Sequence, residues 1–285
     1  MLTLTLFAVA ALSQGPDFSW NGSIAAGKTL TVKNIIGDIL VEPASGREIS
    51  VTAVTREGRR GDAEDVEIRR LEDEGGVTFC VIYPHHYDDG DCDMSGRRRD
   101  RDRRRGNWND HDQNDTEVRF TVRVPTGTNV SFRTVTGDVI ARGLRGDTEA
   151  NSVSGDVRLT DVEGKLVEAH TVSGNVELER VNADEVSAET VSGDVDFSGD
   201  IRAKGNYDLK TLSGDVVMRI PANVGAEISG ATFSGEFHSS FPITTTSTSR
   251  FTRRQRINGT IGNGSARIRV ESFSGDVELR EIGAK

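Results

Sequence analysis

Two sets of residues in this 285-residue chain have types and spacings that metal-ion or acid–base chemistry uses. The first lies in HHYDDGDCDMSGRRRDRDRRRGNWNDHDQND, residues 85 to 115. His85, His86, Asp91, Cys92 and His111 are all metal-ligand types, but their spacing fits no closed zinc pattern. Asp89, Asp91 and Asp93 alternate as at the start of an EF-hand calcium loop. Met94 stands where that loop needs glycine and no helical pattern flanks it, so the segment is not read as an EF-hand. In the same segment Arg97, Arg98, Arg99, Arg101, Arg103, Arg104 and Arg105 form a block with aspartates on both sides. Such a block is either a solvated polyampholyte whose charges balance locally, or a contact for phosphate or acidic polysaccharide through guanidinium hydrogen bonds.

The second set recurs. Asp138, Asp156, Asn175, Asp194, Asp215, Glu236 and Asp276 each follow a glycine in a phrase of the form V-S-G-D-V. Stacked one above another, these carboxylates repel unless they are solvated, bonded to backbone N–H groups or bridged by cations. Turn capping is the expected role. Calcium bridging through Asp138, Asp156, Asp194, Asp215 and Asp276 is the alternative, since hard oxygen donors suit that ion; the glycine-rich calcium-roll nonapeptide is absent. The serine of the phrase has no recurring histidine partner, and the acidic residues follow the repeat instead of breaking it. Neither a nucleophile nor a carboxylate pair for glycan cleavage is predicted, so the chain is read as noncatalytic and without a cofactor.

The elements that position these residues follow from the repeat. Gly137, Gly155, Gly174, Gly193, Gly214, Gly235 and Gly275 lie at intervals of 18, 19, 19, 21, 21 and 40, the last near two periods and read as spanning a degenerate copy. Self-similarity near 20 residues marks a solenoid, in which each coil is completed by its neighbours. Within a coil the alternation has period two, as in Val172, Val176 and Leu178, and predicts an inward ladder of Val153, Val172, Val191, Leu212, Phe233 and Phe273 in that order. A second apolar set, such as Val162, Leu166 and Ala169, completes two strands per coil. Glycine suits the corner because it permits positive φ and close backbone approach. The same phrase returning in register favours parallel stacking over an antiparallel sandwich of hairpins. The final EIGAK is short for a cap, so the last coil is expected at an open edge.

Before the repeats, TLTVKNIIGDILVEP reads as two strands around a divergent corner at Gly37, and VEIRRLEDEGGVTFCVIYP as a hairpin turning at Glu74–Gly76. Residues 85–116 lack apolar periodicity, which predicts a disordered charged loop. The divisions are thus 1–13, an export signal; 14–125, an irregular N-terminal β region; and 126–285, the repeats. The signal is read from the apolar and Thr run Leu2–Leu12 followed by Ala11-x-Ser13. That run is too short to span a bilayer, and the mature chain holds no transmembrane segment. With 31 Gly, 28% charged residues and a net charge of −10, the composition suits a turn-rich soluble protein and argues against general affinity for nucleic acid or anionic lipid. Cys80 and Cys92 are the only cysteines, which rules out a disulfide framework; they either pair in an oxidising compartment or remain separate thiols.

LTVKNIIGDILVEP, the strand VRVPTGTNVSF leading into VTGDVIARGLRGD, and the recurrent V-S-G-D-V through FSGDVEL together resemble a bacterial adhesin-type family of β-strand repeats, a domain of unknown function of the DUF4097 type. The resemblance runs from about Trp20 to Leu279. It implies an all-β, single-stranded β-solenoid, parallel β-helix or roll-like, of about 19–21-residue coils, with no catalytic residues to carry over. The function expected is that of an exported adhesin or envelope scaffold, periplasmic, cell-surface or extracellular, touching a protein or glycan through side chains such as Arg158, Glu177, Glu179 and Asp196. A calcium-stabilised surface module, an envelope sensor or assembly component using the Arg block, and a polysaccharide-active enzyme are the alternatives. The Arg/Asp-rich loop departs from the family pattern.

Overall fold

The structure, a computed structural model, describes residues 17–60, 62–83, 92, 114–249 and 255–282. The described residues begin with β1 (Phe18–Gly22), β2 (Thr29–Lys33), β3 (Ile39–Pro43) and β4 (Ile49–Arg56). After a 3-10 turn at Ala63–Asp65 comes the hairpin of β5 (Glu67–Glu72) and β6 (Gly76–Ile82), then β7 (Glu117–Val124). The regular coils follow as strand pairs: β8 (Asn129–Arg133) with β9 (Val139–Arg142), β10 (Thr148–Asn151) with β11 (Val157–Thr160), and β12 (Leu166–Ser173) with β13 (Val176–Val181). Next come β14 (Glu185–Ser192) with β15 (Val195–Gly199), and β16 (Asn206–Ser213) with β17 (Val216–Ile220). The remainder comprises β18 (Ala226–Ser234), β19 (Phe237–Ser239), the antiparallel pair β20 (Thr244–Ser249) and β21 (Gln255–Ile261), and a final coil of β22 (Ala266–Ser274) and β23 (Val277–Glu281).

Each coil gives one strand to each of two sheets. Among the described residues one sheet has 11 strands in the order β1-β4-β7-β3-β9-β11-β13-β15-β17-β23-β19, and the other has 12 in the order β20-β21-β18-β22-β16-β14-β12-β10-β8-β2-β6-β5. The coils pair in parallel and in register, so Val157, Val176, Val195, Val216 and Val277 stand in one row. Val167, Val186, Tyr207 and Ile268 form a row in the facing sheet. These side chains are buried, and each contributes about 1.5–3 kcal/mol on leaving water. Phe197 and Tyr207 meet edge to face with centroids 5.9 Å apart. This is the solenoid anticipated from the repeat, and parallel pairing rules out the hairpin sandwich. Both sheets continue without a break into the N-terminal strands, where β2 pairs with β8 and β3 with β9.

Three expectations are corrected. The ladder Val153, Val172, Val191, Leu212, Phe233 and Phe273 points outward, with 40–52% of each residue exposed. The reason is parity: from buried Thr171 to buried Val176 the corner takes an odd number of steps, so strand alternation does not carry through it. The last coil is not an edge either. β22 and β23 slot between β16/β17 and β18/β19, so the ladder runs Leu212, Phe273, Phe233. Between Gly235 and Gly275 the described residues build, in place of a degenerate coil, the antiparallel β20–β21 pair, which covers β18 at the end of its sheet. Identical corner phrases fit any neighbour, so spacing predicts the number of coils without fixing their order. The opposite end is closed by antiparallel β1–β4 and β5–β6, and antiparallel or very short strands such as β19 blunt the edges against further pairing.

Candidate functional site

The glycine corner is the unit from which every outward feature of the solenoid is built. Gly155, Gly174, Gly193, Gly214 and Gly275 all have φ between +145° and +153°, a region costly for any residue with a Cβ. Each also sits directly on the corner below: a Cβ on Gly193 would lie 2.0 Å from the Gly174 carbonyl oxygen. Gly235 lacks the positive φ but has the same close approach, to the Gly275 carbonyl. Gly37 and Gly137 begin the series, with φ +121° and +144°.

Two side-chain ladders tie these corners together. In the first, the Oδ1 of each acidic or amide side chain accepts the backbone N–H of its counterpart in the next coil. Asp156 N–H donates to Asp138, Asn175 N–H to Asp156, Asp194 N–H to Asn175 and Asp215 N–H to Asp194, all at 2.8–2.9 Å. Asp276 donates to Asp215 and Glu236 to Asp276 in the same way, both at 2.8 Å. The cap thus reaches the neighbouring coil and not the residue's own turn. Asn175 performs it as well as aspartate, so the ladder uses an oxygen acceptor and not a charge. Among the described residues no group of three or more His, Cys, Asp or Glu converges as a metal site would require.

The second ladder was not read from the sequence. Three residues before each glycine stands a buried hydroxyl that donates to the glycine carbonyl of the adjoining coil. Thr171 reaches Gly155, Thr190 reaches Gly174, Thr211 reaches Gly193 and Ser272 reaches Gly214, at 2.8–2.9 Å. The signal is present, since Ser or Thr recurs at that position in every copy from Gly137 on, but it sits beside a Val, Leu or Phe to which simple alternation assigns the inward side. A strong hydrogen-bonding group can be buried there only because the glycine carbonyl needs a partner.

Outside the corner, the columns are exposed. An apolar column runs Val153, Val172, Val191, Leu212, Phe273 and Phe233, and its last four members line, with Glu189, Lys210 and Glu271, a shallow groove of about 460 Å³. Phe233 and Phe273 stack with centroids 4.8 Å apart and planes within 4°. Ile35 and Val135, half-buried, continue the column toward the N-terminal end. On the other sheet Arg158 joins Asp156 at 2.7 Å and Glu177 at 3.0 Å, with Asp138 at 3.8 Å. Burial opposes the charge on Arg158, but the hydrogen bond and field of Glu177 and the fields of Asp156 and Asp138 outweigh it and raise its pKa. Arg219 pairs with Asp196 in the same sheet.

A disulfide joins Cys80 to Cys92, with Cα atoms 5.7 Å apart, and the Lys33 ammonium donates to the Cys92 carbonyl at 2.8 Å. Residues 83–116 connect β6 in one sheet to β7 in the other, and these strands pair in parallel with β2 and β3. In strand order this connection corresponds to the one through Gly37 that joins β2 to β3. At its base the buried Tyr83 hydroxyl donates to the Thr116 carbonyl at 2.6 Å, and burial raises the Tyr83 pKa. The Arg block (Arg97 to Arg105), His85, His86, His111, Asp89, Asp91 and Asp93 lie outside the described residues, as does the proposed export signal. Among the described residues no helix is long and apolar enough to cross a membrane.

Comparison with known proteins adds a family. A family model described as Toastrack DUF4097 matches residues 87–280. No curated protein matches the chain. Similar solved structures include a "putative cell adhesion protein" from Clostridium sporogenes, 12% identical over 93% of this chain and 100% of that one, TM-score 0.35. A "putative adhesin" from Bacteroides fragilis is 8% identical over 92% and 96%, TM-score 0.40. Another so described, from Parabacteroides distasonis, is 12% identical over 92% and 96%, TM-score 0.32.

Proposed function

The chain belongs to the Toastrack DUF4097 family, and from that premise we propose that it is a noncatalytic, exported scaffold or adhesive module that engages a protein or glycan surface through repeated contacts. The observation that carries this reading is the register of the coils. Parallel pairing without slippage from β9 to β13 puts Ile140, Arg158 and Glu177 at one outward position, and the same position continues to Asp196 across the next pair. Rungs about 4.8 Å apart make such a column a series of evenly spaced side chains of differing charge. Many weak contacts held at fixed spacing give avidity without a pocket. The Cys80–Cys92 disulfide supports export, because such bonds persist in oxidising compartments. The acidic ladder supports a role in capping over one in catalysis or calcium binding, since each Oδ1 already holds a backbone amide.

The test is a binding panel of immobilised polysaccharides and envelope proteins, read with substitutions added one coil at a time along Arg158, Glu177 and Asp196. Repeated contact predicts that affinity falls in small, similar steps. Loss of all binding from one substitution would contradict it, as would turnover of any polysaccharide that Asp194→Asn or Asp215→Asn abolishes.

A further inference from the structure

We propose that the exposed apolar column is a self-association surface, on which a second copy of this chain docks antiparallel about a two-fold axis between the coils of Val191 and Leu212. The column has three properties that fit such a partner. It is linear, and any ligand that covers it must repeat apolar groups at the rung spacing of about 4.8 Å; another copy does so by construction. It also tapers. Val153, Val172 and Val191 give way to Leu212, Phe273 and Phe233 along the stack. Reversing one copy over the other sets Val153 against Phe233, Val172 against Phe273 and Val191 against Leu212. Each large side chain then meets a small one, the condition for close packing.

Charge follows the same symmetry. Two residues before Val172, Val191, Leu212 and Phe273, on the same outward face of the strand, stand His170, Glu189, Lys210 and Glu271, neighbours in successive coils; within one copy Glu189 lies 3.9 Å from His170 and Lys210 donates to Asp208 at 2.6 Å, both at the surface. A two-fold axis perpendicular to the column brings this flank against its own reversed copy. Glu189 then faces Lys210 of the second copy, and His170 faces Glu271. A two-fold axis along the column would instead carry the flank to the far side of the contact, leaving Glu189 and Lys210 without these partners. The acidic ladder begins beyond the glycine, at the start of the other sheet. Six matched coils span about 24 Å. With the charged flank, the contact falls near the lower bound of a specific interface, about 1,000 Å² in total, so association is weak and depends on concentration. A self-complementary patch of this kind closes on itself as a dimer and does not propagate.

Sedimentation of the full oxidised chain tests the proposal, over concentrations bracketing a Kd on the order of 10–100 µM. Lys210→Glu is expected to weaken dimerisation at least tenfold, and adding Glu189→Lys to restore it to within about threefold of the parent. Orientation is read by oxidative cross-linking of single cysteines. Leu212→Cys lies next to the axis and yields a covalent dimer, whereas Val153→Cys, displaced by about 24 Å from its copy, does not. Each variant's melting curve, matched to the parent, confirms that the monomer is intact. A chain that stays monomeric throughout overturns the proposal. So does a dimer indifferent to the charge exchange, a cross-link at Val153→Cys equal to that at Leu212→Cys, or a column variant that alters only polysaccharide binding. Failure here leaves the scaffold reading standing, because that reading is tested on the other sheet.

Discussion

Replacing Gly193 by alanine tests whether the corners stack for the reason given. The substitution places a Cβ at φ +147°, at a cost of about 1–2 kcal/mol for a left-handed backbone. It also sets that Cβ 2.0 Å from the Gly174 carbonyl oxygen, so the two coils must part locally. Parting them weakens the Thr190 hydroxyl bond to Gly174 and the Asp194 amide bond to Asn175, each contributing about 1 kcal/mol net. The sum is about 3–4 kcal/mol, which for a chain of this size lowers the melting temperature by about 6–8 °C. Gly27→Ala is the control: Gly27 has φ +80° and nothing within 4 Å of a new Cβ, so it carries only the backbone cost. Urea unfolding followed by far-ultraviolet circular dichroism, with a thermal melt beside it, measures both variants. If Gly193→Ala costs no more than Gly27→Ala, close stacking is not why the corners are glycine, and the argument for the phrase fails.

Further outcomes follow from single contacts. Asp194→Asn should stay within about 0.5 kcal/mol of the parent, because Asn175 already caps a coil, while Asp194→Ala should lose about 1 kcal/mol; equal losses would mean that charge matters. By the same reasoning, saturating calcium and excess chelator should give superimposable melting curves, and a calcium-dependent rise would make the acidic ladder a ligand site. Tyr207→Phe removes a hydroxyl that donates to the Ala183 carbonyl at 2.9 Å and accepts the Arg202 amide at 2.8 Å, so denaturant titration should show a loss of about 1–3 kcal/mol. Burial alone would raise the Glu149 pKa, but the bonds from Ser131, Arg133 and Asn151 together bring it below its ordinary value of 4.5. A depressed folded-state pKa makes its stabilisation complete above that value and lost as pH falls through the lower one. Glu149→Gln should therefore flatten the acid limb of a stability–pH curve below about pH 4.5 and leave its neutral shape alone.

Much of the fold was legible because the phrase recurs at nearly constant spacing, and constant spacing with period-two alternation leaves few architectures. Val157, Val176 and Val195 were placed inward correctly, since they lie within strands where alternation holds. Val153 and its counterparts were not, because the corner between them and the next strand breaks the parity. Stack order was illegible for a different reason: every coil presents the same phrase, so local sequence does not say that β22 belongs beside β16. The acidic residues were read as caps, but of their own turns. That each serves the next coil depends on a distance that exists only after stacking. Pairing of Cys80 with Cys92 was open at the sequence level, because the approach of their Cα atoms is set by β6 and the anchoring of Cys92 beside Lys33.

The placement of β22 and β23 inside the stack has a consequence for the chain as it is made. Synthesis delivers β18 and β19 before the coil that separates them from β16 and β17. During that interval β18 finds β16 bare, with Ser213 and Gly214 presented as its proper neighbour presents Ser274 and Gly275. A nascent chain can therefore zip in numerical order into a shorter stack that satisfies every corner it has so far received. Completion then requires that stack to open by one coil and admit β22 and β23, which are translated after it. Folding of this repeat is thus not simple elongation from one end, and its slow step is predicted to be the release of a premature pairing, which mutations weakening the β16–β18 match would hasten.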